Sequence, residues 1–148
     1  MNITRFTDYS LRVLIYLAVN ESKPCTINDI ALGYDISKNH LMKVVQELSQ
    51  KEYVLATRGK NGGIRLNKPA KDINIGQLVR SMENDTKMVE CFGANNQCVI
   101  TPSCQMKNIF LEAHNSFYST LDKYSLADLT GEDHRAGLVN LLSIDIAS

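Results

Sequence analysis

The stretch that decides the fold is 26-TINDIALGYDISKNHLMKVVQELSQ-50, followed closely by 53-YVLATRGKNGGIRLNKP-69. In the first segment Thr26 stands as a helix cap with Asp29 three residues on, close to a capping-box pattern, and predicts a short helix that stops near Gly33. Ser37 then caps a further helix whose Leu41, Val44, Val45 and Leu48 share one face. Two helices joined by GYDI form a helix-turn-helix candidate. In the second segment two strand-like runs flank GKNGG, where Asn61 and Gly62 are residues suited to the positive φ of a tight hairpin. Upstream, Leu11, Leu14, Ile15 and Ala18 recur at helical spacing in 7-TDYSLRVLIYLAVN-20, with Thr7 as the expected cap and Pro24 closing the linker. Three helices and then a hairpin is the order of a winged helix-turn-helix. The predicted fold class is mainly α with a small β-hairpin.

Downstream, 74-NIGQLVRSME-83 reads as a short helix. Thr101 and Pro102 look like the cap and first residue of the next one. That helix carries Ile109, Phe110, Ala113, Phe117, Leu121 and Tyr124 and is expected to run to about Lys123, roughly 34 Å at ~1.5 Å per residue. Its apolar and aromatic stripe predicts packing against a second copy, so it is read as a dimerisation helix. YSLADL adds one turn of helix, and the tail offers a helical piece around Leu138 to Ile144. The expected organisation is a DNA-binding region over 1–80, then a cysteine loop, dimerisation helix and tail over 81–148.

The 148 residues carry no net charge, yet the charge is unevenly placed. Residues 1–80 hold 12 Lys+Arg against 7 Asp+Glu, and residues 81–148 hold 4 against 9. A basic front half suits a polyanion, because Lys and Arg displace counterions condensed on phosphate. No apolar run approaches the ~18 residues of a membrane span, and the N-terminus lacks the pattern of a secretory signal, so the expected address is the cytoplasm. In a reducing compartment, clustered cysteines favour metal ligation or thiol redox chemistry over structural disulfides.

Three of the four cysteines lie in 91-CFGANNQCVITPSC-104, separated by six residues and then five. Zinc ribbons bring ligands as closely spaced pairs, and the spacing also departs from bacterial and plant-type ferredoxins. Three thiolates on a polar loop can still hold an iron-sulfur cluster if a further ligand is supplied. Cys25 reads as a small packed residue rather than that ligand, and His114 on the long helix can face either way. For DNA, the start of the third helix presents Ser37, Lys38, Asn39 and His40, with Lys43 a turn on, to bases and phosphates. Arg58 and Lys60 sit at a glycine-rich wing suited to the minor groove. No nucleophile-base pair or phosphate loop is present, and GKNGG lacks the Walker arrangement, so an enzyme is not expected. A metal-free thiol-redox regulator remains an alternative, and the basic wing speaks against a mere electron carrier.

FTDYSLRVLIYLA, SKNHLMKVVQELSQKEYV, TRGKNGGIRL, the cysteine triplet with CVITPSC, and LDKYSLADL together make the chain similar to the NsrR family of nitric-oxide-sensitive repressors. The likeness runs to about Leu129, and a more distant one joins it to the iron-sulfur regulator IscR. The resemblance implies a homodimeric, winged-helix transcriptional repressor whose cluster is held by Cys91, Cys98 and Cys104 of one subunit and Asp8 of the other. It implies nitric oxide as the signal, with nitrosylation of the cluster releasing operator DNA. Members carry 4Fe-4S or 2Fe-2S clusters, of which 4Fe-4S is favoured here. IscR-type members have a His three residues after the last cysteine, where this chain has Lys107, which counts against an IscR-like role in iron-sulfur homeostasis.

Overall fold

A computed structural model describes residues 2–83 and 87–145. Helices α1 (Arg5–Val19), α2 (Ile27–Tyr34) and α3 (Lys38–Gln50) precede antiparallel strands β1 (Val54–Thr57) and β2 (Gly63–Leu66). Then come α4 (Ile75–Met82), α5 (Met106–Leu121), α6 (Leu126–Leu129) and α7 (Glu132–Leu141), with short 3-10 turns at Ala70–Asp72, Glu90–Phe92 and Thr101–Ser103. The architecture is the mainly helical winged helix-turn-helix that the sequence predicts. Among the described residues no helix is long and apolar enough to cross a membrane.

Helix caps account for several boundaries, not always by the expected residue. Thr26 and Asp29 do form a reciprocal capping box, each bond 3.0 Å long. Helix α2 runs one residue past Gly33, to Tyr34, and Asp35 then takes the left-handed conformation at φ 56°. Ser37 stands before α3, but its side chain makes no capping hydrogen bond. For α1 the cap is Thr4, not Thr7. Thr7 lies inside the first turn, fully buried, and its N–H donates to the Thr4 hydroxyl at 3.3 Å. In a capping box the third helical residue returns a carboxylate to the cap N–H. Thr7 cannot do so, and Glu83 at the end of α4 takes that part, accepting from the Thr4 N–H at 2.7 Å and from its hydroxyl at 3.1 Å.

In the wing, Val54 faces Leu66 and Thr57 faces Gly63 across the register. Asn61 has the expected positive φ of 69°, but Gly62 does not; the other positive angles belong to Gly59 and Gly63, at 95° and 146°. Gly62 is required for a different reason, since a Cβ there would run into the Thr57 carbonyl.

The helix after the cysteine loop is shorter than expected and starts later. Thr101–Ser103 forms only a 3-10 turn, Cys104 is extended at φ −92° and ψ 121°, and α5 begins at Met106. The Thr101 hydroxyl does not cap α5, which starts five residues further on; it donates to the Cys98 carbonyl at 2.8 Å and accepts from the Asn96 amide. Sixteen residues make α5 ~24 Å long. The tail helix also begins earlier than read from sequence, at Glu132, because α7 packs against α1 and draws the Arg135 guanidinium to the Ala18 carbonyl at 3.4 Å.

The core gathers around the second half of α1, where Val13, Leu14, Leu17 and Val19 meet Ile30, Leu41, Val44, Leu48, Val54 and Leu78. Each such side chain contributes ~1.5–3 kcal/mol on burial. The chain returns to this core after α5. Tyr124 accepts from the Ile75 N–H at 3.0 Å, Leu126 donates to the Ile73 carbonyl at 2.8 Å, and the Leu126 side chain is fully buried.

Replacing Glu83 by Ala removes both bonds to Thr4 and is expected to lower stability by ~1–3 kcal/mol, as for hydrogen bonds to a charged group. Urea unfolding measures it; an unchanged midpoint would show that the long-range cap contributes nothing.

Candidate nucleic-acid interface and cysteine loop

Helix α3 buries Leu41, Val44, Val45 and Leu48 and so turns the remaining positions outward. Ser37, Lys38, Asn39, His40 and Lys43 are all exposed. The same outward face includes Met42 and Gln46, which the sequence reading missed. The signal was available as the complement of the buried spacing: positions between the core residues must face solvent. Gln can bond an adenine edge through two groups, and Met offers apolar contact to a thymine methyl. Arg58 and Lys60 in the wing are exposed as well, as is Arg65 on β2.

Asp8 sits one turn into α1 and is half-exposed, engaged by its own helix. Arg12 Nη2 donates to one carboxylate oxygen at 3.0 Å and Nε to the other at 3.4 Å. The same guanidinium lies 5.5 Å from the Tyr9 ring and 5.9 Å from the Tyr34 ring. Tyr34 donates its hydroxyl to the Arg12 carbonyl at 2.8 Å, and its phenol is pushed up to about 12, mainly by burial. Tyr9 also approaches His40 of α3, with ring centroids 6.3 Å apart. Asp8 therefore belongs to a cluster that touches the start of the recognition helix. It lines a shallow hollow whose walls, among the described residues, come from Asn2 to Arg12.

In the loop, Cys91 and Cys104 are half-exposed and Cys98 is exposed, all as free thiols. Unpaired cysteines usually pack as small apolar groups. Cys25 does so: it is buried, accepts from the Asn20 amide at 3.2 Å, and burial pushes its thiol up. The other three do not. Soft, accessible thiols outside the core match in kind the donor set of an iron-sulfur cluster. Among the described residues, however, no three His, Cys, Asp or Glu side chains converge closely enough to hold a metal ion within one chain.

Helices α4 and α5 frame this loop. Gly76 allows their close approach, because a Cβ there would overlap the Asp122 carboxylate. Arg80 donates two bonds to that carboxylate, at 2.6 and 2.8 Å, and its guanidinium lies 4.6 Å from the Tyr118 ring. These hydrogen bonds hold the Asp122 carboxyl below the usual carboxylate range. Burial raises the Tyr118 phenol, and Glu83 adds to the shift.

Three helices, a wing and an outward-facing third helix define the class as winged helix-turn-helix DNA-binding regulators. The family model Rrf2, described as "Iron-dependent Transcriptional regulator", matches residues 3–132, and the chain belongs to that family. A relative described as "HTH-type transcriptional regulator NsrR", from Bacillus subtilis (strain 168), is 52% identical over 131 residues, covering 87% of this chain and 90% of the relative. Another of the same description, from Oceanobacillus iheyensis, is 44% identical over 147 residues, covering 98% and 99%. These are regulators and not enzymes, in keeping with the expectation from sequence. Among solved structures, CymR of B. subtilis, described as "the Global Cysteine Regulator", matches with a TM-score of 0.72 at 24% identity, covering 87% of this chain and 95% of its own. T. potens IscR matches with a TM-score of 0.74 at 21% identity, covering 92% and 90%. At those identities the two structures bear on the fold alone.

The Asp122 carboxyl is depressed in the folded chain, so its stabilising effect is fully present above its ordinary value of 3.8 and is lost as pH falls through the lower folded value. Asp122→Asn is therefore expected to be less stable than the parent at neutral pH, with the gap closing under acid. Urea unfolding of both proteins across that range checks it, and a gap independent of pH would contradict the assignment.

Proposed function

We propose that the protein is a homodimeric transcriptional repressor that binds operator DNA through α3 and the wing and responds to nitric oxide through an iron-sulfur cluster. The observation that carries this reading is the pairing of an exposed, basic recognition helix with three free, solvent-reachable thiols on one loop between α4 and α5. The family's iron dependence and the resemblance of the cysteine triplet support it.

In this reading Lys38, Asn39, His40 and Lys43 face the major groove from the start of α3, with Ser37 at the backbone. Arg58 and Lys60 reach the minor groove or its phosphates. Cys91, Cys98 and Cys104 are the thiolate ligands, and Asp8 of a second copy supplies the oxygen. That the walls of the hollow around Asp8, among the described residues, come from Asn2 to Arg12 favours a ligand set completed between copies. Arg12 orients the carboxylate for that role. Half-exposed Met106, Ile109 and Leu111 on α5 offer the second copy an apolar surface. A bound cluster, 4Fe-4S in preference to 2Fe-2S, supplies iron with which nitric oxide reacts. The chain's own part is geometric: the loop begins beside Glu83, Glu83 caps α1, and α1 touches α3 through Tyr9 and His40. Two recognition helices must sit ~34 Å apart to occupy adjacent half-sites, so a small change in that chain of contacts weakens operator binding. A coupling of ~1–3 kcal/mol is enough for a five- to 150-fold change.

Anaerobic reconstitution of the parent is expected to give a coloured protein with matching iron and sulfide. Cys98→Ala should stay colourless with unchanged far-ultraviolet circular dichroism. Mobility-shift titrations should show weaker operator binding after exposure to nitric oxide. A colourless parent whose DNA affinity changes on oxidation would instead establish the metal-free thiol switch. Equal affinity before and after nitric oxide would sink the sensing role.

Lys60→Ala is expected to weaken binding to all DNA sequences alike and to flatten the log-log salt dependence by about one charge. An unchanged slope would remove the wing from the interface.

A further inference from the structure

The cysteine loop is stitched largely by its own hydrogen bonds. The Gln97 N–H donates to the Glu90 carboxylate at 3.2 Å, the Asn96 amide to the Thr101 hydroxyl at 2.8 Å, and that hydroxyl to the Cys98 carbonyl at 2.8 Å. Such bonds shape the loop from within. The first turn, Glu90–Phe92, makes an outward contact by a ring: Phe92 meets His114 of α5 at a centroid distance of 6.3 Å and an angle of 77°. His114 is edge-on to Tyr118 at 5.0 Å and 69°. Tyr118 is buried, abuts Phe117 at 5.1 Å, and is covered by the guanidinium that forks onto Asp122. The ring contacts thus run from the exposed turn to a buried tyrosine braced by α4. His114 stands at the point where a rigid base meets the turn that carries Cys91.

We propose that His114 is a positioning residue that seats Phe92 and thereby fixes the Cys91 thiol against α5. Its purpose rests on the cluster reading above: it would hold one ligand in place before the others close. The geometric part stands without iron. Edge-to-face ring pairs contribute modestly, so loss of one loosens the turn without unfolding the chain. Cys98, on the exposed far part of the loop, lies beyond this support.

The test uses the full-length, reduced, cluster-free protein and follows iodoacetamide alkylation of each cysteine by mass spectrometry. His114→Ala is expected to speed alkylation of Cys91 by about two- to tenfold, with Cys98 unchanged and helical circular dichroism preserved. Phe92→Leu should reproduce the effect, and His114→Phe, which keeps a ring, should reverse it. An unchanged Cys91 rate, an equal rise at Cys98, or failure of His114→Phe to restore the parent rate would each overturn the proposal. In reconstituted protein, a chelator should remove iron faster from His114→Ala than from the parent or His114→Phe. Equal rates of removal would overturn the ligand-placing role. If the parent takes up no iron at all, the cluster reading fails, while the alkylation rates still decide what His114 does.

Discussion

From Val13 to Val19 every side chain of α1 except Ile15 is buried, and α3, β2, α4, α6 and α7 all rest on this helix. A helix enclosed in this way cannot roll or slide without opening voids, and close-packed interiors resist even methylene-sized gaps. The first half of the same helix is only partly covered and carries the half-exposed Asp8, Tyr9 and Arg12. Rigid burial at one end therefore gives those residues a fixed place relative to α3. The contact between Tyr9 and His40 then links the Asp8 cluster to the exposed start of α3 over a short distance.

The cysteine loop is framed by the same economy of parts. At its entry Glu83 is committed to Thr4, and behind it Arg80 is forked onto Asp122. At its exit α5 is braced on α4 through Gly76 and the Tyr118 ring.

Much of the fold was legible because it is written in local terms. The Thr26–Asp29 box, the spacing of Leu41, Val44, Val45 and Leu48, and the glycine-rich hairpin are short-range patterns, and short-range physics decides them. The departures arise where one local pattern allows more than one hydrogen-bond or packing solution, or where a distant residue intervenes. Thr4 was overlooked as the cap of α1 because its partner carboxylate comes from α4. Thr101 looked like a cap because nothing nearby reveals that its hydroxyl turns back to Cys98. Gly62 was assigned to the turn for its φ, whereas its neighbour across the loop demands the absence of a side chain. Among the candidate residues, the thiols, wing cations and first residues of α3 stand out by type and spacing, and all of them are exposed or half-exposed in the fold. Met42 and Gln46 were recoverable but passed over, and the Phe92–His114 contact was not recoverable, since it joins segments whose relative placement only tertiary packing sets.

The acceptor that completes the first turn of α1 stands 79 residues along the chain from Thr4. Synthesis delivers α1 before α4, so this helix leaves the ribosome with its Thr4 N–H still turned to water. Only after Glu83 emerges can that end close. A helix made before α4 is thus finished only after it, and an arrested nascent chain lacking α4 would carry a frayed start to α1 even if α1, α2, α3 and the wing had already come together.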